Sequence, residues 1–260
     1  MSRPLSGKRI LVTRAKEQTK EFSEKMKEVG AIPVVVPLLH IRPTYSNDNR
    51  VIFQNLHDFT WIFFTSANGV KFFFQQLYEY GFDKNWLSPL QIAVVGDKTE
   101  MMLNHYGCTA EFKPRDFSGE AMMEEFLKDD RSNERIVLAC GNRSRQEIPC
   151  ALEQHDIFYK RLITYETLIN ADDSTLLEEY IASGEIDIFT FTSPSAVEAL
   201  HRLINTTLFE KIAREHLCVC IGSTTEKKAL ELGLKQVLVP DTFTIEGMLQ
   251  VLIDYYKAKG

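Results

Sequence analysis

Residues 61–66 read Trp-Ile-Phe-Phe-Thr-Ser, and residues 188–193 read Ile-Phe-Thr-Phe-Thr-Ser. Each stretch is a short apolar run without regular polar alternation, and each ends in two hydroxyl residues. Such runs predict strands that are buried on both faces of a sheet. Because a helical pattern is predicted after each run, the two stretches predict an α/β protein with parallel sheets covered by helices.

The second half of the chain repeats the first at a spacing of 126 or 127 residues. Besides the first pair, the matches join residues 94–99 with 220–225, 114–118 with 240–244, and 9–12 with 135–138. Four matches at nearly one spacing indicate an internal duplication. Any two βα proteins share some fragments of this kind, which is the alternative explanation of the matches. A simple tandem duplication would divide the chain near residue 130.

Length, composition and charge narrow the class of protein. The 260 residues are 44% hydrophobic and 25% charged, which predicts one or two globular domains. No apolar run reaches the roughly 18 residues of a membrane helix, and charges on both sides of the first apolar stretch argue against a signal peptide. The net charge of −6 argues against nucleic-acid binding. The odd number of cysteines, 5, predicts free thiols in the cytoplasm.

Sequence motifs for several common chemistries are missing. The sequence contains no GxxxxGK[ST] phosphate loop, no GxGxxG after a strand and no GxSxG nucleophile elbow. The 6 histidines show no paired spacing typical of metal ligands. We therefore expect no metal site, and a dinucleotide site is poorly supported.

Small polar residues and glycines stand at six predicted strand-to-helix turns. In parallel sheets such turns lie at the carboxyl ends of strands, where ligands bind. They are also helix N-termini, whose free N–H groups attract anions. Six such turns in two matched halves predict an anion-binding cleft. The candidate binding residues are Thr13, Arg14, Thr65, Ser66, Gly96, Lys98, Gly141, Asn142, Ser193, Ser195, Gly222, Thr224 and Thr225.

Each of these turns, taken alone, also fits a structural role. Ser, Thr and Asp are favoured helix N-caps, and Pro194 suits the first turn of a helix. Arg14 and Arg143 lie just beyond strand ends, and arginine is a two-pronged donor for carboxylates. We expect a functional role for Arg14, whereas substrate binding and a solvated surface charge remain equally open for Arg143.

Seven segments, in order over essentially the whole chain, resemble the uroporphyrinogen-III synthase family. They are residues 11–14, 64–70, 93–96, 117–120, 165–167, 191–197 and 221–225. Ala15 and Ser223 depart from the common bacterial pattern, which often has proline at both positions. The resemblance implies an α/β fold of two similar flavodoxin-like lobes with parallel sheets, joined by a two-stranded extended linker. Lobe one would comprise residues 1–40 and 166–260, and the inserted lobe two residues 41–165.

The same resemblance implies a hydro-lyase of heme biosynthesis that needs no cofactor. The family closes hydroxymethylbilane, a linear tetrapyrrole with an acetate and a propionate on each ring, into uroporphyrinogen III. Water is lost and the last ring is inverted through a spiro intermediate, in a site between the lobes. Tyr165 is the candidate proton donor to the departing hydroxyl, the alternative being that it only packs where the lobes join.

Partner expectations follow from the resemblance as well. We expect a monomer that binds the tetrapyrrole, makes a transient contact with the upstream deaminase, and binds neither nucleic acid nor membrane. Two other classes of function remain compatible with the residues. A non-catalytic two-lobed binding protein for a polycarboxylate would share the architecture, although no export signal is predicted. A small two-lobed glycosyltransferase is disfavoured because no nucleotide-binding loop is evident.

Overall fold

The computed structural model describes residues 4–15 and 19–259, so residues 1–3, which entered the signal-peptide prediction, lie outside the described residues. Within the described part, strands and helices alternate. The strands are β1 (Arg9–Val12), β2 (Ile32–Val35), β3 (Leu39–Pro43), β4 (Trp61–Phe64), β5 (Gln91–Val94), β6 (Arg135–Gly141), β7 (Phe158–Ile169), β8 (Ile188–Phe191), β9 (Leu217–Cys220) and β10 (Gln236–Leu238). The helices are α1 (Thr19–Glu28), α2 (Asn47–Gln54), α3 (Ala67–Glu79), α4 (Asp97–His105), α5 (Gly119–Phe126), α6 (Glu147–Gln154), α7 (Ser174–Ala182), α8 (Pro194–Leu203), α9 (Thr206–Glu215), α10 (Ser223–Glu231) and α11 (Ile245–Lys259).

The chain forms two compact units. Unit 1 comprises Met1–His40 and Leu168–Gly260, and unit 2 comprises Ile41–Thr167. Unit 2 is one continuous segment inserted into unit 1, which is made of two segments. The chain is therefore not divided near residue 130 as a simple tandem duplication predicts. The chain passes between the units within β3 and β7, which are neighbours in one sheet.

Unit 1 is built on a five-stranded sheet in the order β10-β9-β8-β1-β2. The pairs within it are parallel, with Leu11 opposite Phe189 and Val34. Successive side chains of a strand point to opposite faces of a sheet, so each strand contributes to two cores. Leu11 and Phe189 pack under α7, α8, α9 and α10, while Ile10 and Ile188 pack under α1 and α11.

Unit 2 has a matching sheet in the order β3-β7-β6-β4-β5. The pairs of β4 with β5 and β6, and of β6 with β7, are parallel. Phe64 and Val137 pack under α2, α3 and α4, and Phe63 and Leu138 pack under α5 and α6. All four residues of β4 are buried, so the strand prediction for the opening sequence is confirmed.

Glycines follow the ends of two helices. Gly30 follows α1 with φ +89° and Gly81 follows α3 with φ +85°, a left-handed conformation that glycine adopts without steric cost. Among the described residues, no helix is long and apolar enough to cross a membrane.

Candidate active site

The predicted site residues of unit 2 collect at the carboxyl end of its sheet. Strands β6, β4 and β5 are consecutive and parallel, so the turns that follow them are neighbours. Strand β7, beside β6, contributes the candidate proton donor. The residues brought together are Thr65 and Ser66 after β4, Gly96 and Lys98 after β5, Gly141 and Asn142 at the end of β6, and Tyr165 from β7.

The predicted residues of unit 1 form a corresponding group. Strands β9, β8 and β1 are consecutive and parallel, and their carboxyl ends carry the turns. The group comprises Thr13 and Arg14 after β1, Ser193 and Ser195 at the start of α8, and Gly222, Thr224 and Thr225 at the start of α10. The structure therefore gathers the thirteen predicted binding residues and Tyr165 into two groups, one in each unit.

The Tyr165 side chain is half-buried among residues of the β4 turn and α3. Its hydroxyl lies 3.2 Å from Ser66 Oγ. Ser66 Oγ also accepts the Gly69 N–H at 3.0 Å and so caps α3. The Phe72 ring lies alongside, with ring centroids 5.7 Å apart. A single serine thus joins the start of a helix to the phenol.

Gly141 forms the floor under the Tyr165 ring. A Cβ atom built on Gly141 would lie 2.5 Å from Tyr165 Cζ and 2.9 Å from its hydroxyl oxygen. Since real Cβ atoms do not approach so closely, only glycine leaves room for the ring in this position. The Asn142 N–H donates to the Tyr165 carbonyl at 3.1 Å and fixes the backbone beside that contact.

An irregularity between β6 and β7 aims Tyr165 at this floor. The register shifts between Cys140 and Gly141, so Gly141 pairs with Tyr165 and Thr164 is passed over. An extra residue in one strand bends that strand and redirects its side chains. Thr164 is fully buried, and its hydroxyl donates to the Cys140 carbonyl at 3.4 Å.

Two buried amides hold this irregular part of β7. Gln76 Nε2 donates to the Thr164 carbonyl at 2.7 Å, and Asn49 Nδ2 donates to the Ile163 carbonyl at 2.9 Å. The two amides are joined because Asn49 Nδ2 also donates to Gln76 Oε1 at 2.9 Å. Gln76 is 0% exposed and Asn49 4% exposed. Sequence reasoning missed both residues, although Gln76 interrupts the otherwise apolar face of α3 and could have been noticed.

The surroundings of Tyr165 keep its phenol protonated. Burial raises the pKa of Tyr165, and the hydrogen bond with Ser66 offsets part of that rise. The neighbouring Cys140 thiol is held neutral in the same way, because burial raises its pKa while the Arg161 side chain partly opposes the rise. The Tyr165 phenol is therefore a neutral hydrogen-bond donor at physiological pH.

Lys98 lines a cavity of about 620 Å³ in unit 2. The cavity lies along α3 and α4, and Lys71, Met101 and Tyr106 also line it. Ala67, the residue directly after Ser66, is also part of its lining. Two ammonium groups beside apolar side chains provide a surface that suits a carboxylate on an organic skeleton.

Several hydroxyls of the unit 1 group serve the protein interior. Thr13 Oγ1 donates to the Thr190 carbonyl at 2.8 Å and is fully buried, and Thr225 is 1% exposed. Ser193 caps α8 by accepting the Ala196 N–H at 3.3 Å. Thr224 is exposed, so its hydroxyl remains accessible at the start of α10.

Arg14 supplies a cation at the end of β1. Burial lowers its pKa and Glu21 opposes that shift, but an arginine guanidinium keeps its charge in proteins. Within residues 4–15 and 19–259, no three or more His, Cys, Asp or Glu side chains are grouped so that they could hold a metal ion.

Comparison with known proteins places the chain among related sequences. The family model described as "Uroporphyrinogen-III synthase HemD" matches residues 20–250. The porphyrin biosynthesis protein HemD of Ruminiclostridium josui is 30% identical over 98% of this chain, and the match covers 50% of that relative. A putative uroporphyrinogen-III synthase of Methanocaldococcus jannaschii is 29% identical, over 94% of this chain and 97% of its own length. The chain therefore spans about half of the first relative and nearly all of the second.

Solved structures share the fold. A mutant uroporphyrinogen III synthase from Thermus thermophilus superposes with a TM-score of 0.69 at 19% identity, covering 98% of this chain and 100% of that one. The uroporphyrinogen-III synthetase of Helicobacter pylori gives a TM-score of 0.64 at 14% identity, covering 96% and 99%. At these identities the likeness concerns the fold, and it confirms the predicted α/β architecture of two parallel-sheet lobes.

Proposed function

Because the chain belongs to the uroporphyrinogen-III synthase family, lyases of heme biosynthesis, we propose that it cyclises hydroxymethylbilane to uroporphyrinogen III. The reaction releases one water molecule and inverts the last pyrrole ring. One observation carries the chemical part of the proposal. The Tyr165 phenol lies on the Gly141 floor, bonded to Ser66, among the turns at the carboxyl end of a parallel sheet.

The two groups of turns suit the charge of the substrate. Hydroxymethylbilane carries an acetate and a propionate on each pyrrole ring, and helix N-termini offer N–H donors to such carboxylates. In unit 2 these donors stand at the starts of α3 and α4, with the Lys98 ammonium group nearby. In unit 1 they stand at the starts of α8 and α10, with Thr224 and Arg14 as side-chain donors. Local donors of this kind hold a polyanion in spite of the net charge of −6.

Tyr165 acts as the proton donor to the departing hydroxyl. Breaking the carbon–oxygen bond leaves a cationic azafulvene on the substrate, and the phenolic proton converts the leaving hydroxide to water. A phenol is a much stronger acid than water, so the proton transfer to the departing hydroxide runs downhill even though burial raises the pKa of Tyr165. Ser66 then hydrogen-bonds to the phenolate, in keeping with its effect on the pKa of Tyr165.

Positioning decides which product forms. The azafulvene closes without help to the uninverted isomer, so the protein must present the substituted carbon of the last ring to it. Holding both ends of the substrate by their carboxylates supplies this orientation, and correct orientation alone lowers barriers by several kcal/mol. The spiro intermediate then reopens and recloses to give the inverted ring. The last ring loses the proton of its formerly free α-carbon in this closure, and that proton balances the one that Tyr165 gave up, so the phenol is restored.

The cellular setting follows from the chemistry of the substrate. Because the open-chain substrate closes spontaneously, it must be transferred quickly from the enzyme that makes it. This requirement favours a transient contact with the upstream deaminase. The enzyme works as a monomer in the cytoplasm, where its free cysteines, Cys108, Cys140, Cys150, Cys218 and Cys220, stay reduced. Units 1 and 2 correspond to lobe one and lobe two of the family, and β3 and β7 to the linker.

The test is an isomer analysis. Hydroxymethylbilane is generated in situ by a porphobilinogen deaminase, the products are oxidised, and the uroporphyrin isomers are separated by chromatography. We expect isomer III to dominate with the protein and isomer I with heat-denatured protein. A mixture that remains isomer I in both samples refutes the proposed activity.

A further inference from the structure

Two exposed phenylalanines occupy equivalent positions in the two units. Phe117 is 56% exposed and Phe243 is 59% exposed. They lie in the matched segments 114–118 and 240–244, and each stands shortly before a helix, α5 or α11. Packing in the core does not explain a large aromatic ring that is exposed to water at the same position of both halves. Exposed apolar groups of this kind often mark a binding surface.

Each ring rests on a glycine at the start of another helix. A Cβ atom on Gly96 would lie 3.0 Å from Phe117 Cγ, and one on Gly222 would lie 3.2 Å from Phe243 Cγ. Both glycines have extended backbones, with φ −172° and −170°, which any residue adopts. Glycine therefore serves here to let the ring approach, and more than half of each phenylalanine stays open.

The rings lie inside the two groups of candidate binding turns. Gly96 and Gly222 are the N-cap residues of α4 and α10, and because glycine has no side chain, neither of them caps its helix with one. The accessible Lys98 and Thr224 follow two residues after these glycines. An apolar ring beside polar donors matches a ligand that has both a π-face and carboxylates, which is the chemistry of each pyrrole of a tetrapyrrole.

We propose that Phe117 and Phe243 are positioning residues whose open faces contact pyrrole rings of the substrate, an inference that rests on the proposed function. Flat rings in contact gain about 0.5–1.5 kcal/mol beyond the burial of apolar area, which corresponds to about 2- to 10-fold in affinity. The phenylalanines support the rings, and the polar groups beside them hold the carboxylates.

Leucine and tyrosine substitutions test the flat face. Phe117→Leu and Phe243→Leu keep an apolar side chain but remove the ring, whereas Phe117→Tyr and Phe243→Tyr keep the ring. Phe158→Leu is the matched control, because Phe158 is 42% exposed but opens β7 at the opposite end of the unit 2 sheet. Steady-state kcat and KM for hydroxymethylbilane, the isomer ratio and Tm are measured for every variant.

We expect each leucine variant to raise KM about 5-fold and the double leucine variant about 25-fold, with more isomer I. The tyrosine variants and the Phe158→Leu control should stay within about 2-fold of wild type. Unchanged kcat/KM in the leucine variants, with wild type still forming isomer III, overturns the inference and leaves the proposed function standing.

A lowered Tm with unchanged kcat/KM also overturns it. Phe117 and Phe243 stand one residue before the caps Ser118 and Thr244, a place where apolar residues can merely staple a helix start. Formation of isomer I alone by the wild-type protein would instead refute the proposed function, and the inference with it.

Discussion

Substituting Gly141 by alanine would displace Tyr165 with the smallest possible side chain. The new Cβ would lie 2.5 Å from Tyr165 Cζ and 2.6 Å from Cε2. Ordinary carbon contacts begin near 3.5 Å, so the ring must move by about 1 Å. The Tyr165 hydroxyl then leaves Ser66, from which it is 3.2 Å away in the structure.

A misplacement of this size has a large effect on rate and a small one on stability. A shift of about 1 Å in a reacting group costs on the order of 100-fold, so kcat for Gly141→Ala should fall about 100-fold. Overpacking costs about 1–3 kcal/mol in a tight core. The Tyr165 ring is half-buried and can yield, so the lower end of that range applies and Tm should fall by only about 2–4 °C.

The assay is initial-rate cyclisation of hydroxymethylbilane with Tm measured in parallel. Gly119→Ala is the matched control, because its Cβ would meet Ile148 Cγ1 at an ordinary 3.4 Å. In a Tyr165→Phe background the phenol is already gone, so Gly141→Ala should then change kcat less than about 3-fold. A second loss of about 100-fold in that background would show that Gly141 acts independently of the Tyr165 hydroxyl and refute the reasoning.

Three further predictions concern the surroundings of the phenol and the turns. The protonated Tyr165 phenol is the active form and burial raises its pKa, so kcat should not fall between pH 7 and 9. Ser66→Ala removes the hydrogen bond that lowers this pKa, so any loss of kcat at alkaline pH should move to higher pH. Gln76→Leu leaves the buried Thr164 carbonyl without its amide donor and should cost about 1–3 kcal/mol of unfolding free energy in urea. Half-buried Gln75 donates to the side chains of Tyr45 and Glu79, which are both exposed, so Gln75→Leu should cost less than about 1 kcal/mol. Thr224→Asp places a negative charge at the start of α10 and should raise KM several-fold while Tm stays the same or rises slightly; an unchanged KM would place the substrate carboxylates elsewhere.

The sheets were predictable because their signal is local. An uninterrupted apolar run such as residues 61–64 has few alternatives to a strand buried on both faces, and the structure confirms it. The placement of the turns followed as well, since parallel strands bring their carboxyl ends to one edge. The local pattern could not predict that β1 pairs with β8, because the paired residues stand far apart in the chain.

The candidate site was predictable only in part, for a related reason. Ser66 and Tyr165 are 99 residues apart, and their contact depends on a register shift beside Gly141 that no sequence period records. The turn at the end of β6 predicts Gly141 as a binding residue, but only the structure shows that Gly141 makes room for the Tyr165 ring. Asn49 and Gln76 were missed because buried amides look like surface residues in a sequence.

The isomer composition formed by the Tyr165→Phe variant tests most directly whether this phenol assists cyclisation. The phenylalanine ring keeps the packing on Gly141 and loses only the proton and the bond to Ser66. Positioned acids contribute about 100-fold or more, so we predict a fall in kcat of about that size with KM within 2-fold of wild type. With little protein present, spontaneous closure should then overtake catalysis and raise the fraction of isomer I. Undiminished kcat and an unchanged isomer III fraction would contradict the account and leave Tyr165 as a packing residue.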